Sequence, residues 1–165
     1  MIREVPECRF VIVGRDNSDR GEYRDSLKRE AAARGIAENF VWLEWLEDTA
    51  SFHAGIDIFV SPSRSESFGL AILEAMAHSK PMIATATDGA RELLNGCGRL
   101  VPIAEPEALA GALVDAVRDP EFCTSDGAKA RHRAEEEYSL DRMVAQTESL
   151  YQEVLAAERA AAGLS

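Results

Sequence analysis

Ser61-Pro62-Ser63-Arg64-Ser65-Glu66-Ser67-Phe68-Gly69-Leu70-Ala71-Ile72-Leu73-Glu74-Ala75-Met76-Ala77 decides the fold of this chain. An apolar run over Ile56 to Ser61 stops at a loop of small polar residues, and the loop opens an apolar helix over Phe68 to Ala77. Strand, loop, helix is the unit of a parallel α/β sheet. The same alternation continues upstream. Phe10-Val11-Ile12-Val13 reads as a strand covered on both faces, and Gly14 ends it. Arg15 to Arg20 is a polar loop. Glu22 to Arg34 reads as a helix, with Tyr23, Leu27 and Ala31 on one face and Gly35 as its stop. Phe40 to Leu43 is a second strand, and a short helix capped by Asp48 or Thr49 runs to Gly55.

Downstream, Met82 to Thr85 and Arg99 to Val101 are strands separated by a short helix over Gly89 to Leu94. The remainder is helical. One helix opens at Pro106 and buries Leu109, Leu113 and Val117. Another spans Thr124 to Tyr138, and a last one, capped by Ser139, carries Met143, Leu150 and Val154 on its apolar face. The expectation is a single, partial Rossmann-like α/β domain over residues 1–155, with an Ala-rich tail at 156–165.

The 165 residues carry 18 Lys plus Arg against 29 Asp plus Glu, a formal charge of -11. That balance argues against broad nucleic-acid binding and against adhesion to an anionic membrane. Cys8, Cys97 and Cys123 are far apart and form no CxxC pair, so they read as reduced thiols in a cytoplasmic chain. The opening residues lack the apolar core of a signal peptide, and no run approaches the ~18 apolar residues of a membrane span. His53, His78 and His132 lack metal-ligand spacing. Ser63 and Ser67 lack the His/Asp context of a nucleophile.

The chemistry concentrates around Gly69. The first N–H groups of a helix have no internal partner and carry partial positive charge, so a strand-to-helix loop with glycine can cradle a phosphate. Glu74 lies roughly 9 Å of helix rise beyond Phe68. Its helix is apolar on nearly every side and is expected to be buried, so its carboxylate needs a partner. A carboxylate accepts two O–H bonds well, which suits a ribose diol. An Arg partner for Glu74 and solvent for Glu66 remain the structural alternative at this point.

Glu66 and Glu74 form Glu-x7-Glu within Ser-Glu-Ser-Phe-Gly-Leu-Ala-Ile-Leu-Glu-Ala-Met-Ala. This resembles the signature of retaining glycosyltransferases of the group 1, or family 4, type. The flanks are similar too: Ala54 to Ser63, Lys80 to Thr85, Val5 to Gly14, Phe40 to Leu43, and Tyr138-Ser139-Leu140-Asp141-Arg142. The resemblance implies the C-terminal, donor-binding half of a GT-B fold. It implies that Glu74 holds the ribose hydroxyls of a nucleotide sugar and that Glu66, the catalytic candidate, lies beside the donor sugar. The backbone N–H groups of Phe68, Gly69 and Leu70, following Ser67, would bind the diphosphate. Leu43 to Leu46 would border the base. No metal or further cofactor is implied.

The departures from the family are specific. Ser67 and Asp88 stand where glycines are frequent, and Gly14-Arg15-Asp16 replaces a Gly-x-Gly. Relative to the family, the sequence starts after the strand that carries a Gly-Arg pair and a Lys, and after the whole acceptor domain. A fragment or split subunit that needs an N-terminal partner is therefore expected, inactive alone. Loss of that central strand would leave an apolar sheet edge open to aggregation or homodimer pairing. A non-catalytic nucleotide-binding or interaction module is the alternative. A dinucleotide-dependent dehydrogenase does not fit, because the first strand is not followed by GxGxxG.

Overall fold

A computed structural model describes residues 1–16, 18 and 21–161. Part of the Arg15 to Arg20 loop and the last four residues of the Ala-rich tail lie outside them. The elements alternate: β1 (Phe10–Val13), α1 (Glu22–Ala33), β2 (Phe40–Leu43), α2 (Thr49–Gly55), β3 (Phe59–Ser61), α3 (Leu70–Ala77), β4 (Met82–Thr85), α4 (Asp88–Leu93), β5 (Arg99–Val101), α5 (Pro106–Val117), α6 (Pro120–Glu137) and α7 (Leu140–Ala161). All strand pairs are parallel.

The strands form two sheets. One is β1-β2, with Phe10 opposite Phe40 and Val13 opposite Leu43. The other has the order β3-β4-β5, with Val60 opposite Ile83 and Thr85 opposite Val101. β1 and β3 each leave one edge without a ladder among the described residues. Phe10 of β1 and Val60 of β3 pack on the same apolar cluster, around Ile83, Val101, Leu113 and Phe122. The sheets therefore share a core without sharing hydrogen bonds. β1 is not covered on both faces: Ile12 and Val13 are exposed.

β4 is the centre of the molecule. Its four residues are all buried, as a central parallel strand requires. α3 and α6 cover one side, burying Ile72, Met76, Met82, Leu93 and Ala130. Gly127 makes this approach possible, since a Cβ there would lie 2.1 Å from the carbonyl oxygen of Ser79. Each fully buried Met, Leu or Ile side chain contributes ~1.5–3 kcal/mol.

Two boundaries, those of β3 and α6, differ from the sequence reading by three or more residues. β3 is shorter, starting at Phe59, because Ile56 serves as the C-terminal cap of α2. α6 starts four residues earlier than Thr124, where Asp119 caps the helix by accepting from the Phe122 N–H at 3.0 Å and Pro120 occupies the first turn. In α5 the buried face is Leu113, Val114 and Ala116, and Val117 is exposed. α7 extends as helix to Ala161, and its apolar residues Met143, Leu150 and Val154 are uncovered. The three cysteines are free thiols, one buried and two half-buried. Burial pushes the Cys97 thiol above its ordinary pKa, which suits an inert core residue.

Candidate functional site

The loop between β3 and α3 is held from behind by β4 and α4. Thr85, at the end of β4, donates its hydroxyl to the Ser63 carbonyl at 2.5 Å and is within 3.3 Å of the Ser61 carbonyl. Thr87 caps α4, accepting from the Ala90 N–H at 3.4 Å. Gly89, in the first turn of α4, donates its N–H to the Glu66 carbonyl at 3.0 Å. Its Cα lies flat against the loop, so a Cβ there would meet the Phe68 carbonyl oxygen at 2.3 Å. Asp88, beside it, is exposed.

Phe68 anchors the far end. Its ring packs edge-on against Tyr138, with centroids 6.0 Å apart. Arg133 fixes that tyrosine, donating to its hydroxyl at 3.2 Å and to the carbonyls of Glu92 and Leu93 at 3.0 Å. The Tyr138 of the closing motif thus supports the loop directly.

Gly69 turns the chain into α3 with φ 99, a left-handed conformation that favours glycine. A Cβ there would also press on Ile72 and Glu66. No side chain caps this helix. Among the described residues, no group accepts a hydrogen bond from the N–H of Phe68, Gly69 or Leu70. The helix start is an open set of donors.

α3 is not buried on every side. Ile72, Ala75 and Met76 face the core, while Leu70, Ala71, Glu74, Ala77 and His78 form an exposed stripe. Leu70 is 70% exposed. The expectation of a wholly buried helix fails because its packing partners among the described residues, chiefly α6 with β3, β4 and α4, leave only Ile72, Ala75 and Met76 fully covered. The Glu74 side chain is 53% exposed and, among the described residues, is paired with no arginine or lysine; its titratable neighbour is His53, with Nε2 3.9 Å from Oε2. Glu66 is half-buried beside Gly69, and Ser67 is exposed. Along this loop-to-helix segment Ser67, Leu70 and Glu74 are exposed, Glu66 and Phe68 are half-buried, and Gly69 is buried.

At the ends of β1 and β2, Arg24 bridges the two strands. Its guanidinium donates to the Gly14 and Leu43 carbonyls and pairs with Glu44. Asp16 closes the same corner by accepting the Arg24 N–H at 2.6 Å, and the Ser18 hydroxyl and these N–H donors hold its carboxyl below the usual range. Trp45 is exposed, with the Arg15 guanidinium 5.6 Å from its ring. Trp42 stacks on Phe40 at 5.8 Å as part of the sheet.

The sequence reading assigned Thr85, Gly89 and His53 no role in the site. The first two act through contacts that span the gap between β3–α3 and β4–α4. His53 sits in an apolar stretch where nothing local separates a ligand-side imidazole from a core one. Among the described residues, no group of His, Cys, Asp and Glu is placed to hold a metal ion, and no helix is long and apolar enough to cross a membrane. A groove of about 680 Å³ between β5 and α5, lined by Leu100, Ala108, Gly111 and Asp115, contains none of the site residues.

The parallel strands flanked by helices match the C-terminal Rossmann-like domains of GT-B glycosyltransferases. The family described as glycosyl transferases group 1 matches residues 1–119, and the chain belongs to it. It is 27% identical over 164 residues to a lipopolysaccharide core biosynthesis mannosyltransferase, LpcC, of Rhizobium leguminosarum bv. viciae, covering 96% of this chain and 47% of that protein. Its fold is also that of the C-terminal domain of a group 1 glycosyl transferase, LpcC, of Francisella tularensis. There the TM-score is 0.76 at 21% identity, over 84% of this chain and 74% of that one. HepE of Anabaena, solved in complex with UDP-glucose, superposes with a TM-score of 0.82 at 24% identity, over 92% of this chain and 44% of that one. The chain spans less than half the length of the curated relatives it matches.

Proposed function

We propose that this chain is the donor-binding part of a retaining glycosyltransferase, which moves a sugar from a nucleoside diphosphate to a hydroxyl acceptor. The single observation that carries the reading is the Glu74 carboxylate, half-exposed on α3 beyond an uncapped helix start and without an arginine or lysine partner among the described residues. The N–H groups of Phe68, Gly69 and Leu70 bind the diphosphate. Glu74 accepts from the ribose hydroxyls, and Glu66 contacts hydroxyls of the donor sugar. When the bond from the anomeric carbon to the diphosphate oxygen breaks, negative charge grows on the leaving group, and the fixed N–H dipoles stabilise it. The new bond forms to the acceptor oxygen on the same face of the sugar. This reading requires no metal.

The acceptor site and the cations that assist departure would come from an N-terminal domain or partner chain. Titration calorimetry with UDP, GDP, ADP and their sugars tests the donor role. One of them should bind to the wild type, and Glu74→Ala should lose about tenfold in affinity, as expected for a charge-assisted pair of hydrogen bonds. Equal binding by the variant would remove Glu74 from the site.

A non-catalytic nucleotide-binding module is favoured by one observation: no Lys or Arg side chain hydrogen-bonds into the loop from Pro62 to Gly69 among the described residues. Reconstitution with an N-terminal half of a family member separates the two readings, because only the transferase recovers sugar transfer.

A further inference from the structure

The imidazole behind Glu74 is buried and incompletely bonded. His53 comes from α2, and its side chain is 3% exposed. Its ring lies edge-on to Phe52 at 5.3 Å, tilted against Phe59 at 5.8 Å, and stacked on His78 at 5.0 Å. Nδ1 is buried with no hydrogen-bond partner. Nε2 faces the Glu74 carboxylate at 3.9 Å.

We propose that His53 is a positioning residue: it directs its Nε2–H at one oxygen of Glu74 and so aims the other at the ribose diol. The inference rests on the donor-binding role of Glu74.

The tautomer follows from the surroundings. A neutral imidazole has one donor and one acceptor nitrogen. A proton on Nδ1 would be a buried donor with no acceptor, and it would turn the bare Nε2 lone pair toward a carboxylate. A proton on Nε2 leaves only a lone pair unpaired among aromatic rings and points the N–H at negative charge. The second arrangement is the lower in energy. The present 3.9 Å exceeds a hydrogen bond, and a small χ rotation of the half-exposed Glu74 closes it.

The ring stays neutral. Burial is the main cause that lowers its pKa, and His78 adds to it, while Glu74 opposes. Lys80 also opposes protonation; its Nζ is bonded to the Ile56 carbonyl at 2.9 Å. Asp48, at the start of α2, lies within electrostatic reach of His78. A neutral donor orients Glu74 without forming the tight ion pair that would compete with a ligand's hydroxyls.

The test uses the full chain and whichever of UDP, GDP and ADP binds most tightly, beside the 2′,3′-dideoxy form of that nucleotide. His53→Phe fills the aromatic slot but removes the donor. It should weaken the ribonucleotide about 3- to 10-fold, the range of one lost hydrogen bond, and leave the dideoxy form unchanged. His53→Gln, which can place an N–H near the same point, should stay within about twofold of wild type. Unchanged ribonucleotide binding in His53→Phe, or an equal loss for both ligands, overturns the proposal. In the wild type, ¹⁵N NMR should show the Nε2–H tautomer, and an Nδ1–H tautomer overturns it even if the Phe variant does not fold. Glu74→Ala in the same series distinguishes the failures. If that variant loses affinity and His53→Phe does not, only the role of His53 falls; if neither does, the donor site falls with it.

Discussion

Gly89→Ala is the sharpest structural perturbation of the candidate site. The added Cβ would lie 2.3 Å from the Phe68 carbonyl oxygen, 2.6 Å from its carbonyl carbon and 2.7 Å from its Cα. All three are backbone atoms, so no side chain can swing aside. Relief requires α4 and the loop to separate by about 1 Å, against an ordinary carbon–oxygen contact of about 3.4 Å. The strain of such overpacking is ~1–3 kcal/mol, while Gly→Ala in a helix gains ~0.5–1 kcal/mol. A net loss near 1–2 kcal/mol lowers the melting temperature by about 2–8 °C at this chain length. The same shift moves the N–H groups of Phe68 and Gly69 and should weaken nucleotide binding about tenfold. Gly111→Ala on α5 is the control, since its Cβ would meet nothing within 4 Å. That control should melt at or slightly above wild type and bind nucleotide equally. Calorimetric melting and titration check both variants. A Gly89→Ala protein as stable as Gly111→Ala, with unchanged affinity, would refute the close packing of α4 on the loop.

Further outcomes follow from other parts of the molecule. Arg24→Met removes the bonds to the Gly14 and Leu43 carbonyls and should cost ~1–3 kcal/mol in chemical denaturation; no loss would mean water replaces those bonds freely. The lowered pKa of His53 makes stability fall with acid: the unfolded chain takes up a proton near pH ~6.5 that the folded chain refuses. Its contribution is complete above that pH and diminishes as pH drops through it. His53→Phe should flatten this part of a stability-versus-pH curve, and an unaltered slope would assign the effect elsewhere. The unladdered edges of β1 and β3 should make the isolated chain self-associate with rising concentration, measured by light scattering after gel filtration. A monodisperse monomer at all concentrations would show those edges to be protected.

The order of strands and helices was readable because each strand is a compact apolar run bounded by Gly, Pro or polar residues, and the long helices carry start or stop residues such as Gly35, Pro106 and Ser139. The Ser61 to Ala77 segment was readable as strand, loop and helix for the same reason. What periodicity cannot report is which neighbours are present. α3 is apolar enough to be buried all round, yet Leu70, Ala71 and Glu74 are exposed, with nothing packed over them among the described residues. The apolar stripe of α7 was legible, and its lack of a covering partner was not. The split between the β1-β2 and β3-β4-β5 sheets is likewise a matter of pairing, which local sequence does not encode. Of the site, the two glutamates and Gly69 stood out by type and spacing. Thr85 and Gly89 hold the loop through contacts distant in sequence, and His53 had no local mark to distinguish it from an ordinary core histidine.

Amide NMR of the ¹⁵N-labelled chain during titration with UDP or GDP addresses the donor site most directly. The account places the largest shifts at Phe68, Gly69 and Leu70, with a second set around Glu74. Shifts centred instead on the groove of Leu100 and Gly111, with Gly69 unmoved at saturation, would contradict it.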